Sequence, residues 1–281
     1  MDHRELEVVE RLCALSRDHA VPLGSAIAWP AERDRDAWYT SPELVSLYGI
    51  EGLTEAQLRE LSFFEALNFY SLNIHGEKFL LDGLAARLHS KGFARTTAYL
   101  HHFLDEENKH LFYFGAFCIR YGGKIYPHGH VTFPREFASG EEDFLFFAKV
   151  MIFEEVVDHY NHRMANDIRL APIAREINRL HHLDETRHLA FGRLLVKDLF
   201  DRHCPAWSAE TLAAVRATLL GFVESMWRQY YNPDAYRDAG IANSHEIAST
   251  AFALGEAHRA EVTRKCIAFL RKAGILEEVR P

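Results

Sequence analysis

The chain has 281 residues, of which 48% are hydrophobic and 26% are charged, and its net charge at neutral pH is −8. This length fits one large domain or two small ones, and the apolar content is sufficient for a sizeable core. Because no basic cluster accompanies the negative net charge, nucleic acid and anionic membrane surfaces are disfavoured as partners. No apolar run approaches the ~20 residues that a membrane-spanning helix needs.

Cysteine usage and the N-terminal segment indicate the compartment. The four cysteines, Cys13, Cys118, Cys204 and Cys266, are scattered and form no C-x-x-C pair. This spacing predicts reduced thiols in a cytoplasmic protein and argues against a rubredoxin-type iron centre. The N-terminal segment MDHRELEVVERL is charged, unlike a secretory signal peptide. We therefore expect a cytoplasmic location.

The N-terminal part of the chain predicts loops and then a long helix. Residues 1 to about 50 are interrupted by several prolines and predict a short helix and loops around a core. Thr54 and Gln57 then match the capping-box pattern that marks the start of a helix. A long helix is expected from this point to about Ser90.

The middle of the chain predicts two more helices on either side of a loop. One helix is expected over about residues 95–121, where Gly122 and Gly123 stop it. The segment KIYPHGHVTFPREFASG contains two prolines and is interpreted as a crossover loop. The next helix is expected over about residues 141–170.

The C-terminal part of the sequence also predicts helices. A fourth helix is expected to begin near Pro172, because proline suits a first helical turn, and to end near Phe200. Two further helical stretches, residues 208–231 and 244–273, are separated by the segment NPDAYRDAG. No strand-like alternation persists, so the sequence predicts an all-α fold.

Two short helical motifs carry most of the functional information. Glu107 and His110 in EENKH, and Glu185 and His188 in HHLDETRH, are pairs spaced three residues apart. Residues at this spacing lie on one face of a helix, so each pair is able to give one metal ion two ligands. Glu106 is a weaker candidate, because only Glu107 lies three residues before the histidine of its motif.

A lone glutamate precedes each motif on another long helix, Glu77 in LNIHGEKFLLDGL and Glu154 in AKVMIFEEVVDHY. The order Glu, Glu-x-x-His, Glu, Glu-x-x-His is that of the ferritin-like di-iron and di-manganese carboxylate bundles. We therefore expect an all-α fold with a ferritin-like four-helix bundle core in about residues 54–200. Additional helices precede this core and follow it, in about residues 208–273, and residues 1–281 are expected to form a single domain.

The chemistry of these residues favours a pair of metal ions. Four carboxylates buried in an apolar bundle would be costly if they stayed unpaired. Two divalent cations would neutralise them, and mixed carboxylate and imidazole donors suit iron or manganese. Zinc would also bind, but with fewer ligands as a rule. A pair of iron ions would activate dioxygen by delivering two electrons at one place.

Several assignments stay open at this point. Glu155 lies beside Glu154, but the helical face of Glu154 is more apolar, which favours Glu154. His181 lies four residues before Glu185 and shares its face, so it is either a seventh protein ligand or a histidine hydrogen-bonded to a ligand. Asp184 is expected either to orient a ligating histidine or to face solvent.

With these motifs the chain resembles the AurF-like di-iron oxygenases, the p-aminobenzoate N-oxygenase family. The family pattern is a Glu, then Asp-Glu-x-x-His, then a further Glu, and then His-x-x-x-Glu-x-x-His. The resemblance extends over about residues 60–200, and the histidine matched by His181 is its most specific mark. Glu106 stands where the family usually has Asp, which is a small departure.

The resemblance implies a cofactor of two iron ions, with manganese as the alternative metal. It also implies that all seven candidates are metal ligands: Glu77, Glu107, His110, Glu154, His181, Glu185 and His188. In this arrangement Glu107 and Glu185 bridge the ions. One ion also takes Glu77 and His110, and the other takes the remaining three ligands.

The resemblance further implies an enzyme that uses dioxygen to oxidise a small organic molecule, with N-oxygenation of an aryl amine as the favoured reaction. Electrons would come from a separate donor protein or reductant, because no G-x-G-x-x-G follows a strand to bind a nicotinamide or flavin. The expected partners are therefore dioxygen, the substrate and the reductant, with neither nucleic acid nor a membrane. Whether the chain forms a homodimer stays open.

Three other functions compete with this interpretation. Iron storage or ferroxidase activity is disfavoured, because such bundles are usually shorter. Another oxidative enzyme would use similar ligands, for example a C-hydroxylase, an acyl desaturase or a haem-oxygenase-like di-iron oxidase. A helical interaction module without metal would require both motifs to have arisen by chance.

Overall fold

The structure is a computed structural model that describes residues 1–24, 27–129 and 135–277. Within these ranges the regular secondary structure is helical, and a single isolated β-bridge joins Trp38 to Leu170. The all-α fold predicted from the sequence is confirmed. None of the helices in the described ranges has the length and apolarity required to span a membrane.

Four long helices form the centre of the fold. In chain order, after an N-terminal helix α1 (His3–Asp18), they are α2 (Glu55–Arg87), α3 (Thr97–Phe117), α4 (Glu141–Asn166) and α5 (Pro172–His203). Helix α2 packs along α3 and α4 packs along α5, while contacts of α2 with α4 and of α3 with α5 close the bundle. This arrangement confirms the ferritin-like four-helix core, and α1 packs outside it against α3 and α5.

Local sequence signals set the boundaries of these helices. The Thr54 hydroxyl accepts a hydrogen bond from the Gln57 N–H, and the Gln57 side chain accepts one from the Thr54 N–H, as the capping box predicts. Helix α3 continues into a π-helical turn, Cys118–Gly122, which ends at Gly123 with a φ of 64°. Pro172 occupies the first turn of α5, where its missing N–H is not needed.

The structure differs from the prediction at the end of α4 and at two places in the C-terminal region. Its helices are α6 (Ala209–Tyr230), α7 (Pro233–Asp238), α8 (Ser244–Leu254) and α9 (Glu256–Lys272). The segment expected to separate two helices contains α7, whose N-terminus is capped by the Asn232 side chain. The helix expected over 244–273 is divided at Gly255, where a Cβ atom would overlap the Tyr231 hydroxyl. Helix α4 ends at Asn166, short of the predicted Leu170.

The crossover loop predicted between the second and third helices is only partly described. Residues 124–129 and 135–138 contain no helix, in agreement with the prediction. Residues 130–134 of this segment lie outside the described residues.

Two hydrophobic cores run through the four central helices, one on each side of a polar layer. The Tyr70 core includes Tyr70, Phe114 and Ile177, and the Phe147 core includes Phe103, Phe147 and Phe191. Each helix passes from one core to the other across a short segment: Ile74 to Leu80, Phe103 to Tyr113, Ile152 to Val156 and Leu180 to Leu189. All seven candidate site residues lie within these four segments.

A glycine in α2 allows α4 to approach closely at the level of this layer. A Cβ atom at Gly76 would lie 2.6 Å from Cε1 of Phe153. Gly76 directly precedes Glu77, and Phe153 directly precedes Glu154. The absence of a side chain at Gly76 therefore lets the two helices bring both glutamates into the polar layer.

A second glycine of α2 provides a test of this close packing. A Cβ atom at Gly83 would overlap the Phe146 ring, whereas one at Gly221, in the middle of α6, would have no packing atom of the described residues within 4 Å. We expect Gly83→Ala to lower the free energy of unfolding by about 1–3 kcal/mol through overpacking. We expect the control Gly221→Ala to raise it by about 0.5–1 kcal/mol, because alanine is the better helix former. Urea denaturation measures both values, and equal stability of the two variants would contradict the close approach.

Candidate metal centre

The polar layer brings all seven candidate residues together in the interior. None of them is more than 5% exposed. Two groups have potential ligand atoms within 4.8 Å of one another: one consists of Glu77, Glu107, His110 and His181, and the other of Glu107, Glu154 and His188. Glu107 is the residue common to both groups.

The two oxygens of Glu107 contact different imidazoles. Oε1 lies 2.7 Å from Nδ1 of His188 on α5, and Oε2 lies 3.1 Å from Nδ1 of His110 on α3. A carboxylate that faces two histidines with separate oxygens is placed as a bridging ligand would be. This position agrees with the role that the resemblance implies for Glu107.

Glu185 lies at the centre of the three imidazoles, although it belongs to neither group. Its Oε1 atom is 2.7 Å from Nε2 of His181, 3.4 Å from Nδ1 of His188 and 3.8 Å from Nδ1 of His110. This central position also fits a carboxylate shared by two metal ions.

The atoms that face the middle of the layer lie close together without forming regular hydrogen bonds, although Glu107 Oε1 is 2.7 Å from His188 Nδ1 and Glu185 Oε1 is 2.7 Å from His181 Nε2. Within the part of the chain that the structure describes, six such buried atoms make no hydrogen bond: Glu107 Oε1, Glu154 Oε1, His181 Nε2, Glu185 Oε1, Glu185 Oε2 and His188 Nδ1. Buried polar atoms are normally satisfied, because leaving them unpaired costs stability. Converging carboxylate and imidazole atoms in this condition fit iron or manganese ions.

Two carboxylates outside this cluster orient two of the histidines. Nε2–H of His110 donates to Oδ2 of Asp184 at 3.0 Å, and Nε2–H of His188 donates to Oε2 of Glu106 at 2.8 Å. Each bond leaves Nδ1 of the ring facing Glu107. Metal-binding histidines usually donate their other N–H in this way. Of the two roles left open for Asp184, the structure therefore gives it the orienting one.

The role of Glu106 was missed by the sequence analysis, and so were those of two cations. Arg187 Nη2 donates to Oε1 of Glu106 at 2.6 Å and also to Oδ1 of Asp184, while Lys109 Nζ lies 3.5 Å from Oδ2 of Asp184. A signal for these roles was present, because both motifs read acid, Glu, any residue, base, His. The acid of each motif bonds the histidine of the other.

The geometry favours Glu154 over its neighbour Glu155. Glu154 belongs to the group with Glu107 and His188. Glu155 instead forms an ion pair with Arg193, whose side chain is 37% exposed. The two glutamates therefore point toward different surroundings, and only Glu154 faces the cluster.

His181 presents one nitrogen to the cluster and the other to an asparagine. Its Nε2 atom faces Glu185 and lies 3.7 Å from Oε1 of Glu77. Its Nδ1 atom lies 2.6 Å from the amide of Asn161 on α4. A ligand role for Nε2 requires the amide oxygen of Asn161, which makes no hydrogen bond among the described residues, to face Nδ1 and accept its proton.

The neighbours of His181 differ from those that the resemblance implies. The resemblance puts His181 on the same ion as Glu154 and His188. The structure places its ring 4.3 Å from the His110 ring, in the group that contains Glu77. Side chains of α2 and α5 meet across the bundle at this level, where Oε1 of Glu77 lies 3.7 Å from Nε2 of His181.

Burial and the neighbouring charged groups strongly shift the pKa values of these carboxylates. Burial raises the pKa of Glu77 and of Glu154 well above the usual value, and the neighbouring Glu107 and Glu185, respectively, add to the effect. Burial also opposes ionisation of Glu107, but His110 and His188 hold its pKa well below the usual value. Divalent cations at this position would relieve the repulsion among the four glutamates.

A surface cavity of about 230 Å³ reaches the outer side of this network. It is lined by residues of α1, α3 and α5, including Leu15, Tyr113, Leu183, Asp184 and Arg187. Because the two charged groups already bond to each other and to the residues described above, the cavity offers a ligand little recognition. It lies beside the network and not within the polar layer.

A four-helix bundle with carboxylates and histidines gathered at its centre is the architecture of the ferritin-like di-metal carboxylate proteins. Residues 2–276 match the model of the family described as p-aminobenzoate N-oxygenase AurF. The chain therefore belongs to this family. Its membership confirms the predicted class, a di-iron oxygenase with a cofactor of two metal ions, whereas the individual ligands stay a prediction.

Two further comparisons complete this result. The comparison with curated proteins returned no match. Among solved structures, the chain is similar to a mutant of an R2-like ligand-binding oxidase with an aerobically reconstituted Mn/Fe cofactor. The sequence identity is 14%, the TM-score is 0.46, and the match covers 93% of this chain and 94% of the other.

Neighbouring glutamates on α4 provide a matched test of the ligand set. We expect wild-type protein and Glu155→Gln to bind two iron ions per chain after anaerobic loading. Glu154→Gln is expected to bind fewer than two, with a loss of affinity beyond the about 10- to 100-fold that follows from removing a partner of a ligand. Elemental analysis measures the stoichiometry. The reverse pattern would assign the ligand to Glu155.

The asparagine beside His181 provides a second test. Asn161→Ala removes the group that holds the His181 ring, so we expect metal affinity to fall by about 10- to 100-fold. Asn166→Ala serves as the control, because Asn166 lies on the same helix and its amide bonds to the His162 carbonyl outside the layer. Anaerobic metal titration measures both. If Asn161→Ala and His181→Ala both bind metal with wild-type affinity, His181 is not a ligand and the site has six protein ligands.

Proposed function

We propose that this protein is a non-haem di-iron monooxygenase that transfers oxygen to the nitrogen of an aryl amine. The observation that carries the proposal is the buried layer in which Glu107 is shared by two groups of potential ligands. It stands in a chain whose family is described as a p-aminobenzoate N-oxygenase.

The proposed ligands are the seven residues of the layer. Glu107 and Glu185 would be shared by the two ions, because each faces more than one imidazole. The remaining ligands are terminal: Glu77, His110, Glu154, His181 and His188. The four glutamates carry four negative charges when ionised, which two divalent cations balance.

A pair of ferrous ions, when bound, supplies two electrons to dioxygen at one place. The protein positions the ligands for this chemistry. Asp184 and Glu106 keep Nε2 of His110 and His188 protonated, so that each ring presents its other nitrogen to the layer. Arg187 joins the two carboxylates and thereby couples the two orienting hydrogen bonds.

Aromatic rings cover the layer on both sides. The Phe103 ring lies 4.1 Å from the His188 ring, and the edge of Phe114 contacts His181 at a centroid distance of 4.9 Å. Such walls exclude water from an oxidising centre and suit a flat substrate. A small aryl amine has the shape that this environment favours.

The proposed partners are dioxygen, the organic substrate and a separate electron donor. A single domain and a cytoplasmic location stay predictions, and whether the chain forms a homodimer stays open.

Product analysis tests the reaction. We expect reduced, iron-loaded protein exposed to ¹⁸O₂ and an aryl amine to give a hydroxylamine, nitroso or nitro product that carries ¹⁸O. Glu154→Gln is expected to lose this activity, and Glu155→Gln to keep it, because only the former faces the cluster. Mass spectrometry of the product measures both the label and the yield.

Other outcomes of this experiment would reject the proposal in distinct ways. Oxidation of aliphatic or acyl compounds alone would leave an oxygenase but remove the N-oxygenase assignment. Accumulation of mineral iron without any organic product would favour iron storage.

A further inference from the structure

Helices α2 and α5 face each other on the Tyr70 side of the polar layer, and two contacts define their register. The Asn178 amide donates to the Tyr70 hydroxyl at 2.8 Å, and Glu77 lies 3.7 Å from His181. Asn73 lies between Tyr70 and Glu77 on the same face of α2, and Asn178 lies three residues before His181 on α5. The side chains of Asn73 and Asn178 therefore lie at the same level, immediately beside the layer.

Both asparagines present an amide oxygen without a partner. The Asn73 amide nitrogen donates to the Phe69 carbonyl at 2.7 Å, and the Asn178 amide nitrogen donates to the Ala174 carbonyl at 2.7 Å. These bonds set the amide orientation, because a flipped amide would place two carbonyl oxygens together. The Oδ1 atoms are buried and make no hydrogen bond among the described residues, and both side chains have 0% exposure.

An aromatic wall adjoins the two free oxygens. The Tyr70 ring stacks on Phe114, with 5.2 Å between ring centroids and an interplanar angle of 20°. Phe114 in turn contacts His181. We call Asn73, Asn178, Tyr70 and Phe114 the amide subsite. It combines two hydrogen-bond acceptors with a flat apolar surface, next to a predicted metal ligand.

We propose that Asn73 Oδ1 and Asn178 Oδ1 accept hydrogen bonds from the N–H groups of the substrate amine and hold its nitrogen beside the metal centre. This inference rests on the proposed function and names the residues that select the polar group of the substrate. A primary amine carries two N–H donors, which match the two acceptors. A fully oxidised nitro group carries no donor, so the subsite favours the amine over the final product.

The polar atoms of the asparagines explain this selectivity. Each carbonyl oxygen accepts and cannot donate, so carboxylate, nitro and ether groups find no hydrogen bond from it. A buried acceptor that faces an apolar group stays unsatisfied, which is the basis of strong discrimination in sites built for N–H or O–H groups. Tyr70, whose oxygen already accepts from Asn178, positions that amide.

Binding to the reduced, iron-loaded protein without oxygen tests the inference, because no turnover occurs. Aniline and toluene are similar in size, but only aniline carries N–H groups. We expect Asn73→Leu and Asn178→Leu each to lower the ratio of aniline affinity to toluene affinity by at least about tenfold. Leucine is close to asparagine in shape and lacks both amide atoms. Isothermal titration calorimetry measures the affinities.

Asn68→Leu is the matched control. Asn68 is also buried on α2, but its amide nitrogen donates to the Gln229 carbonyl at 2.9 Å and its Oδ1 accepts from Asn232 at 2.8 Å. Its substitution is therefore expected to affect stability without changing the affinity ratio. If a leucine variant fails to fold, the wild-type protein is titrated with aniline, N-methylaniline and N,N-dimethylaniline. Affinity should then fall at each loss of an N–H.

Two results would overturn the inference: an affinity ratio that both subsite variants leave unchanged, or a wild-type protein that binds the three anilines equally. These outcomes are separable from failure of the proposed function. Amine binding through the two asparagines without an oxidised product would remove the function and keep the subsite. Formation of an oxidised product together with an unchanged ratio of aniline to toluene affinity would keep the proposed function and remove the subsite.

Discussion

The structure depends on one constraint, which is the burial of four carboxylates between two apolar cores. Burial removes them from bulk solvent, and burial together with mutual repulsion disfavours the charged forms of Glu77 and Glu154. The backbone groups of the helices already bond to one another, so only side chains are able to stabilise the buried carboxylates. Imidazoles contact these carboxylates, and six carboxylate and imidazole atoms of the layer still make no hydrogen bond among the described residues.

The two motifs are interdependent because each one orients the histidine of the other. Glu106 on α3 bonds His188 on α5, and Asp184 on α5 bonds His110 on α3. Arg187 contacts both carboxylates, so the packing of α3 on α5 and the orientation of two potential ligands form one network. Fold stability and ligand geometry are therefore coupled at this interface, and a change in one helix affects the ligands on the other.

The two sides of the polar layer differ in chemistry. The Phe147 core next to the layer contains Phe103, Phe147 and Phe191 together with one buried phenol, Tyr99. The Tyr70 core carries buried amides and a phenol within one or two turns of the layer. A buried amide lowers stability when its carbonyl oxygen makes no hydrogen bond, whereas a phenylalanine side chain has no polar atom to satisfy. Each side therefore carries a buried phenol, and the buried amides of Asn73 and Asn178 distinguish the Tyr70 side.

The sequence by itself predicted the all-α class, the four core helices and both Glu-x-x-His pairs, while it favoured Glu154 over Glu155 and left two roles open for His181. It could do so because Glu107 and His110, or Glu185 and His188, share a helical face through backbone geometry that acts within one turn. Tertiary structure decided which residues meet across helices. The break at Gly255, the pairing of Glu155 with Arg193 and the position of His181 beside Glu77 all depend on how closely distant helices approach. That approach is set by packing, such as the contact of Gly76 with Phe153, and no local spacing encodes it.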